Sequence, residues 1–131
     1  MGIDDEIFYN QAKIAIIPMV FCYPGKGKSG DLPPRKECAE LWHKKLLIHL
    51  PNIKLTLLIG QYAQNYYLSD SVHYNGGTVT EIVTNWKKFA PSYLPLPHPS
   101  PRNTLWLRKN SWFESKTIPQ LRKHVRNVLS D

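Results

Sequence analysis

At 131 residues the chain has room for one domain with a single hydrophobic core, so we predict one domain over residues 1–131. No run approaches the roughly 18 apolar residues that a membrane helix needs, and the acidic start MGIDDEIFYN is unlike a signal peptide, so we predict a cytoplasmic protein without a membrane partner. Two cysteines are too few for a disulfide framework, and in a reducing compartment they are thiols or metal ligands.

The formal net charge of +7 is concentrated in the later part of the chain. Residues 1–40 carry five Lys and Arg against six Asp and Glu, whereas residues 41–131 carry twelve against four. Nine of these basic residues bracket a proline-rich loop: Lys87, Lys88, Arg102, Arg108, Lys109, Lys116, Arg122, Lys123 and Arg126. Such a patch attracts phosphates and predicts salt-sensitive nucleic-acid binding, with a solvated basic face as the ordinary alternative.

The first half of the chain reads as strand, helix, strand. KIAIIPMVF (Lys13–Phe21) is short and rich in β-branched residues, as in a strand buried on both faces of a parallel sheet. A helix is predicted next, with Cys38, Leu41, Trp42 and Leu46 at spacings of three and four. IKLTLLIG (Ile53–Gly60) is the second predicted strand.

The second half continues the alternation. Thr78 and Glu81 form a capping box, and an apolar stripe follows at Val79, Ile82, Val83, Trp86 and Phe89. SYLPLP (Ser92–Pro97) is a weaker strand that ends at the prolines. The last helix has Ile118, Leu121, Val125 and Val128 inward and Arg122, Lys123 and Arg126 outward. The pattern predicts an α/β fold, three-layer αβα with a short, mostly parallel sheet.

Ligands of such folds bind at the carboxyl ends of the strands, where CYPGKGKSGDLPP, GQYAQ and HPSPRN are predicted to lie. GKGKSG is not a phosphate-binding P-loop, because the pattern needs a glycine where Cys22 stands and a helix where Pro33 and Pro34 intervene. Cys22 and Cys38 fall short of the four ligands of a zinc or iron-sulfur site even if His43 is added, so inert thiols are favoured from the residues alone.

His98 lies between Pro97 and Pro99, so its ring is presented from a stiff loop. A preorganised donor of this kind suits an electrophile aimed at a substrate, and a structural histidine capping a carbonyl is the alternative. Arg102 and Asn103 follow, and they could contact phosphates, enter a duplex where a base has left, or be ordinary turn residues.

These motifs resemble those of the uracil-DNA glycosylase superfamily. HPSPRN is similar to the family's second conserved motif, with the Arg-Asn ending of its single-strand-selective branch. CYPGKGKSGDLPPRKEC reproduces the sixteen-residue cysteine spacing of branches that carry an iron-sulfur cluster, and LLIGQYA (Leu57–Ala63) is similar to the third-strand segment. The resemblance extends from Lys13 to about Leu129.

The resemblance implies excision of uracil or a related damaged base from DNA by hydrolysis of its N-glycosidic bond. His98 would donate a hydrogen bond to uracil O2, and Arg102 would fill the vacated stack. DNA contacts are implied for Pro97, Pro99, Ser100, Pro101, Arg102, Asn103, Arg108 and Lys109. The base pocket is placed at Met19, Phe21, Gly60 and Gln61, and half of a cluster site at Cys22 and Cys38.

The chain also departs from the family pattern. The glycine-rich loop that positions the hydrolytic water, the aromatic that stacks on uracil and the first cysteine pair are not found, and the family's base-reading asparagine falls near Met19. The interpretation is an N-terminally truncated member lacking the first strand, completed by a homo-oligomer or a separate chain. With two of four ligands, we expect no cluster in this chain alone. A non-catalytic nucleic-acid-binding module and a partner-binding fragment remain the alternatives to an active glycosylase.

Overall fold

A computed structural model describes residues 1–19, 25–28, 30–31, 33 and 36–130 of the chain. These residues group into two compact units, one formed by Met1–Ala15 with the chain from Lys54 onward and the other by Ile16–Ile53. The single domain over residues 1–131 stays a prediction. No helix in the described part of the chain is long and apolar enough to cross a membrane.

The helices and strands are assigned in chain order as α1 (Asp5–Phe8), β1 (Lys26–Gly27), β2 (Gly30–Asp31), α2 (Lys36–Ile48), β3 (Thr56–Ile59), α3 (Gln61–Leu68), α4 (Val79–Thr84), β4 (Tyr93–Leu96), α5 (Thr104–Lys109) and α6 (Ile118–Leu129). Two short 3₁₀ turns, Trp86–Lys88 and Pro101–Asn103, and a π-helical turn, Phe113–Thr117, link these elements.

The larger unit is organised around β3 and β4, which pair in parallel from Thr56 opposite Tyr93 to Ile59 opposite Leu96. The backbone N–H of Thr56 donates to the Ser92 carbonyl at 2.8 Å, just before the strands begin. Because the strands run in the same direction, the chain between them must cross over, and it does so through α3 and α4. The predicted α/β class with a short parallel sheet is therefore confirmed.

Pro95 is tolerated inside β4 because of its register. The carbonyls of Ser92 and Leu96 face β3, where they accept from Thr56 and Gly60. Backbone groups alternate sides along a strand, so the ring nitrogen of Pro95 faces the opposite edge. The proline removes no hydrogen bond from the β3–β4 pair, and it makes the far edge a poor template for a further strand.

The core of the larger unit lies where β4 meets α4 and α6. It consists of Val83, Trp86, Leu94, Leu96, Phe113, Leu121 and Val125, each no more than 8% exposed. The predicted stripes of α4 and α6 supply most of this set, so both helices are confirmed. The Thr78 hydroxyl accepts from the Glu81 backbone N–H at 3.2 Å, as the capping box predicts. Arg122, Lys123 and Arg126 are exposed on the outer face of α6.

The smaller unit contains the β1–β2 hairpin and α2. The predicted helix is confirmed, but not every residue of its apolar spacing is buried. Leu41 and Trp42 are 57% and 50% exposed, whereas Ala39 and His43 are buried. The His43 ring is 2.9 Å from the Pro18 carbonyl through its Nε2, and this polar partner allows a histidine to occupy the buried face.

The strand predicted from Lys13 does not form over residues 13–19, the part of that segment that the structure describes. The backbone N–H groups of Lys13 and Ile14 both donate to the Asn10 carbonyl, at 2.9 and 3.0 Å, which turns the chain at the start of the segment. Pro18 then removes a strand donor, and Ile16 is 65% exposed. The β-branched composition was outweighed by this local turn.

Candidate functional site

The carboxyl ends of β3 and β4 bring two of the three predicted ligand-binding segments together. Gly60 and Gln61 follow β3, and Pro97 and His98 follow β4, at the same edge of the parallel pair. The Gly60 N–H donates to the Leu96 carbonyl at 3.0 Å and joins the strand ends. Of the third segment, CYPGKGKSGDLPP, the structure describes residues 25–28, 30–31 and 33, which belong to the smaller unit.

Gly60 has a backbone conformation that suits glycine alone. Its φ of 89° and ψ of 171° lie in a region essentially closed to residues with a Cβ, and this bend starts α3 immediately after β3. A Cβ placed on Gly60 would lie 3.8 Å from Cδ2 and 3.9 Å from Cβ of His98. The His98 side chain therefore lies on the side of Gly60 where a Cβ would project, at a distance that leaves room for one.

The proline loop is held by its own polar groups. The Ser100 hydroxyl accepts from the Arg102 N–H at 3.2 Å and caps the 3₁₀ turn, while the Ser100 N–H donates to the His98 carbonyl at 2.9 Å. The Asn103 side-chain amide donates to the same His98 carbonyl. His98 is thus fixed through its backbone, which leaves its exposed ring for other contacts.

A groove of about 330 Å³ opens beside His98. Its described lining is Gly60, Gln61, Thr78, Val79, Thr80, Pro97, His98, Asn103 and Trp106. The volume is at the lower end of the range typical of small-molecule sites. None of these lining residues carries a carboxylate, so among them His98 is the one with an ionisable side chain.

One wall of the groove is an aromatic and hydroxyl pair. The Trp106 indole N–H donates to the Thr80 hydroxyl oxygen at 2.7 Å. Trp106 also packs edge-on against Phe113 and Trp112, with ring centroids 5.5 and 6.0 Å away. This wall joins the start of α4 to α5, and its rigidity comes from the aromatic cluster behind it.

The groove includes part of the predicted base pocket. Gly60 and Gln61 line it, Met19 belongs to the smaller unit, and Phe21 lies outside the described residues. Val79 and Thr78 could be found from the capping box, since it fixes where α4 begins. Thr80 and Trp106 carried no signal in the sequence, because they meet only when α5 folds against α4.

The residues predicted to contact DNA differ in their exposure and in the hydrogen bonds they make within the loop. Pro99, Pro101, Arg102, Arg108 and Lys109 are exposed, the last two in the final turn of α5. Pro97, Ser100 and Asn103 are half-buried, and the last two hold the loop together. Because the Ser100 hydroxyl accepts in the loop, its own O–H is left to donate a hydrogen bond to a phosphate oxygen.

Of the two predicted cluster ligands, the structure describes only Cys38. Cys38 is a half-buried free thiol in α2, and Cys22 lies outside the part of the chain that the structure describes. No three potential metal-binding side chains converge within the described ranges. Two thiols do not fit a cluster that needs four ligands, so no step of the chemistry below involves one.

A tyrosine cluster lies where α3 packs on β4. The Tyr67 ring contacts those of Tyr66 and Tyr93, with centroids 4.9 and 6.1 Å away. Burial, and then the charges that Tyr66 and Tyr93 would carry, raise the pKa of Tyr67 from 10.0 to about 12. The phenol therefore stays neutral near pH 7.

A family model supports the resemblance found in these motifs. The model described as the uracil DNA glycosylase superfamily matches residues 2–122, which include both strand ends, the proline loop and the start of α6.

Proposed function

Because the chain belongs to the uracil-DNA glycosylase superfamily, whose members act on DNA, we propose that it hydrolyses the N-glycosidic bond of uracil or a related damaged base in DNA. The observation that carries the proposal is the groove beside His98 at the carboxyl ends of β3 and β4. A base flipped out of the helix could enter a groove of this size, with its edge toward the histidine ring.

In this reaction the bond between the deoxyribose C1′ and the base N1 breaks, and its electron pair stays with the base. Negative charge spreads from N1 to O2, where an N–H of His98 donates a hydrogen bond. Water oxygen then bonds to C1′, and the water gives up a proton that neutralises the departing base. The loop contacts that fix the His98 backbone lower the reorganisation needed when this charge develops.

The charge on the surface supports DNA as the partner. Arg102 is exposed at the tip of the proline loop, and Arg108 and Lys109 are exposed two turns further on. Phosphate contacts of this kind position a duplex without reading its sequence. Base choice would instead depend on the groove, where Gln61, Thr80 and Asn103 offer hydrogen-bonding groups.

A second candidate is a DNA-binding chain without turnover. It is favoured by the lack of a carboxylate among the described lining residues, since such a group commonly activates or positions the attacking water. The groove would then hold an extruded base without cleaving it. A homo-oligomer or a separate chain that supplies the water-positioning segment would convert this candidate into the first.

Excision from a labelled oligonucleotide that contains one uracil, single- or double-stranded, tests both candidates. Abasic sites are revealed by alkaline cleavage. His98→Ala is expected to lower the rate about 10²- to 10³-fold, as for loss of one preorganised donor to a developing anion. His73→Ala is the matched control, because His73 is exposed and does not line the groove.

Full activity of His98→Ala, with circular dichroism unchanged, would contradict the role of the histidine. Absence of cleavage by the unaltered chain, with salt-sensitive binding to the same oligonucleotide, would contradict catalysis and support the second candidate.

A further inference from the structure

Gln64 is the most completely buried polar side chain of the larger unit. It lies in α3, one turn after Gly60, and its exposed fraction is 0%. Its backbone N–H donates to the Gly60 carbonyl at 3.2 Å, so the first turn of α3 already joins the two residues. A buried amide must be explained by its partners, because an unpartnered polar group in the core is costly.

The side-chain amide of Gln64 bridges the two strands. Its Nε2 donates to the Leu58 carbonyl of β3 at 3.1 Å and to the Leu96 carbonyl of β4 at 2.9 Å. Both partners can only accept, so the NH₂ group and not the oxygen must face them. Both amide hydrogens are used, one on each strand.

These two carbonyls belong to the strand residues that lead into the groove. Leu58 and Leu96 each precede a site residue by two positions, Gly60 in one case and His98 in the other. The Leu96 carbonyl accepts from Gln64 and also from the Gly60 N–H at 3.0 Å. Gln64 therefore adds a side-chain bridge to the backbone hydrogen bond that joins the strand ends, just before the two residues that line the groove.

The side-chain carbonyl oxygen of Gln64 indicates that packing alone does not explain why a glutamine occupies this position. Among the described residues no donor reaches Gln64 Oε1, which is fully buried. An apolar side chain of similar size would fill the same space without burying this oxygen. What the apolar side chain could not do is hold the two carbonyls at a fixed distance.

We propose that Gln64 is a positioning residue for His98, tying the ends of β3 and β4 so that the histidine is held at the edge of the groove. The structural part of this proposal stands on the contacts of Gln64 alone, and its effect on turnover rests on the proposed function.

The test compares Gln64→Met, which keeps the volume and removes both donors, with Leu68→Ala one turn later in α3. Leu68 is 1% exposed, and its truncation destabilises the same helix without touching the bridge. Three properties are measured in each variant: hydrogen exchange at the Gly60 amide, the NMR signals of the His98 ring, and kcat with KM for the uracil oligonucleotide.

For Gln64→Met we expect exchange at the Gly60 amide to quicken at least tenfold, because its acceptor on Leu96 is no longer fixed. The His98 ring signals should shift or broaden. Any glycosylase activity should fall about tenfold or more in kcat, with KM changed less than about twofold, because the reacting groups are misplaced while the DNA contacts are kept. Leu68→Ala should lower the melting temperature and leave all three properties unchanged.

Gln64→Glu adds a readout that a purely structural residue would not show. A protonated carboxyl can donate one hydrogen bond to a strand carbonyl, whereas a carboxylate can only repel both. Protection of the Gly60 amide in this variant should therefore recover as the pH is lowered, and any turnover should recover with it.

The proposal is overturned if Gln64→Met leaves the Gly60 amide and the His98 signals as they are in the unaltered chain. It is equally overturned if Leu68→Ala reproduces the changes at the same loss of stability. An unaltered chain without glycosylase activity would contradict the proposed function alone, since the exchange and NMR measurements would still decide the role of Gln64.

Discussion

At the scale of single residues, Gly60 is required for its backbone conformation. Its φ of 89° with ψ of 171° is strained for any other residue, and its neighbour on the side where a Cβ would project is His98. Gly60→Ala is expected to lower the free energy of unfolding by about 1–3 kcal/mol. It should also displace the His98 ring, because the strand end must rotate to relieve the strain. Denaturant unfolding and the His98 NMR signals measure the two effects.

Gly76→Ala provides the matched control for this substitution. Gly76 also has a positive φ, 75°, but a Cβ there would meet nothing within 4 Å. Gly76→Ala should lower the free energy of unfolding without changing the His98 NMR signals. Equal stability of Gly60→Ala and the unaltered chain would show that the left-handed conformation is not required.

At the scale of elements, α4 carries one wall of the groove, and its position depends on the N-cap residue that precedes it. Thr78 both caps the helix and lines the groove. Thr78→Ala is expected to destabilise the fold by about 1 kcal/mol, the usual loss for an N-cap hydroxyl. Thr84→Ala is the comparison, because its hydroxyl donates to the Thr80 carbonyl inside the helix, where such a bond contributes little.

Chemical denaturation of both variants checks this expectation. A loss for Thr84→Ala as large as that for Thr78→Ala would show that the capping hydrogen bond has no special weight in α4.

The same elements show what the sequence can and cannot predict. The strands around Leu58 and Leu94 follow from their short apolar runs, and the helices α4 and α6 follow from periodicity, because in each element the buried residues recur at a spacing that is local to that element. The composition of Lys13–Met19 was misleading because a turn at Asn10 and the proline at 18 act locally against a strand.

In the site, the residues at strand ends were predictable from topology, and His98 was predictable from its motif. Thr80, Trp106 and the buried amide of Gln64 were not. Trp106 meets Thr80 across 26 positions, and Gln64 meets Leu96 across 32. No local pattern encodes such a meeting, because it is decided by how helices cross the sheet.

At the scale of the whole molecule, the basic excess of residues 41–131 predicts how DNA binding responds to salt. Arg108→Ala should reduce the slope of log K against log salt by about 0.9 on duplex DNA and about 0.7 on a single strand, if the side chain neutralises one phosphate. Lys13→Ala, an exposed cation of the acidic early part, should leave the slope unchanged. Fluorescence anisotropy of a labelled oligonucleotide over a salt series measures both.

Equal slopes for Arg108→Ala and the unaltered chain would exclude a phosphate contact at this position and place the binding surface elsewhere on the molecule.

The order in which the site residues occur in the chain also bears on how the protein is made. β3 ends at Ile59, but its partner begins only at Tyr93, and the wall completed by Trp106 comes later still. A growing polypeptide on the ribosome therefore carries Gly60 and Gln64 for a long interval before their partners have been synthesised. Contacts this distant in sequence form late and slowly. A nascent chain that ends before α5 therefore lacks Trp106 and with it one wall of the groove.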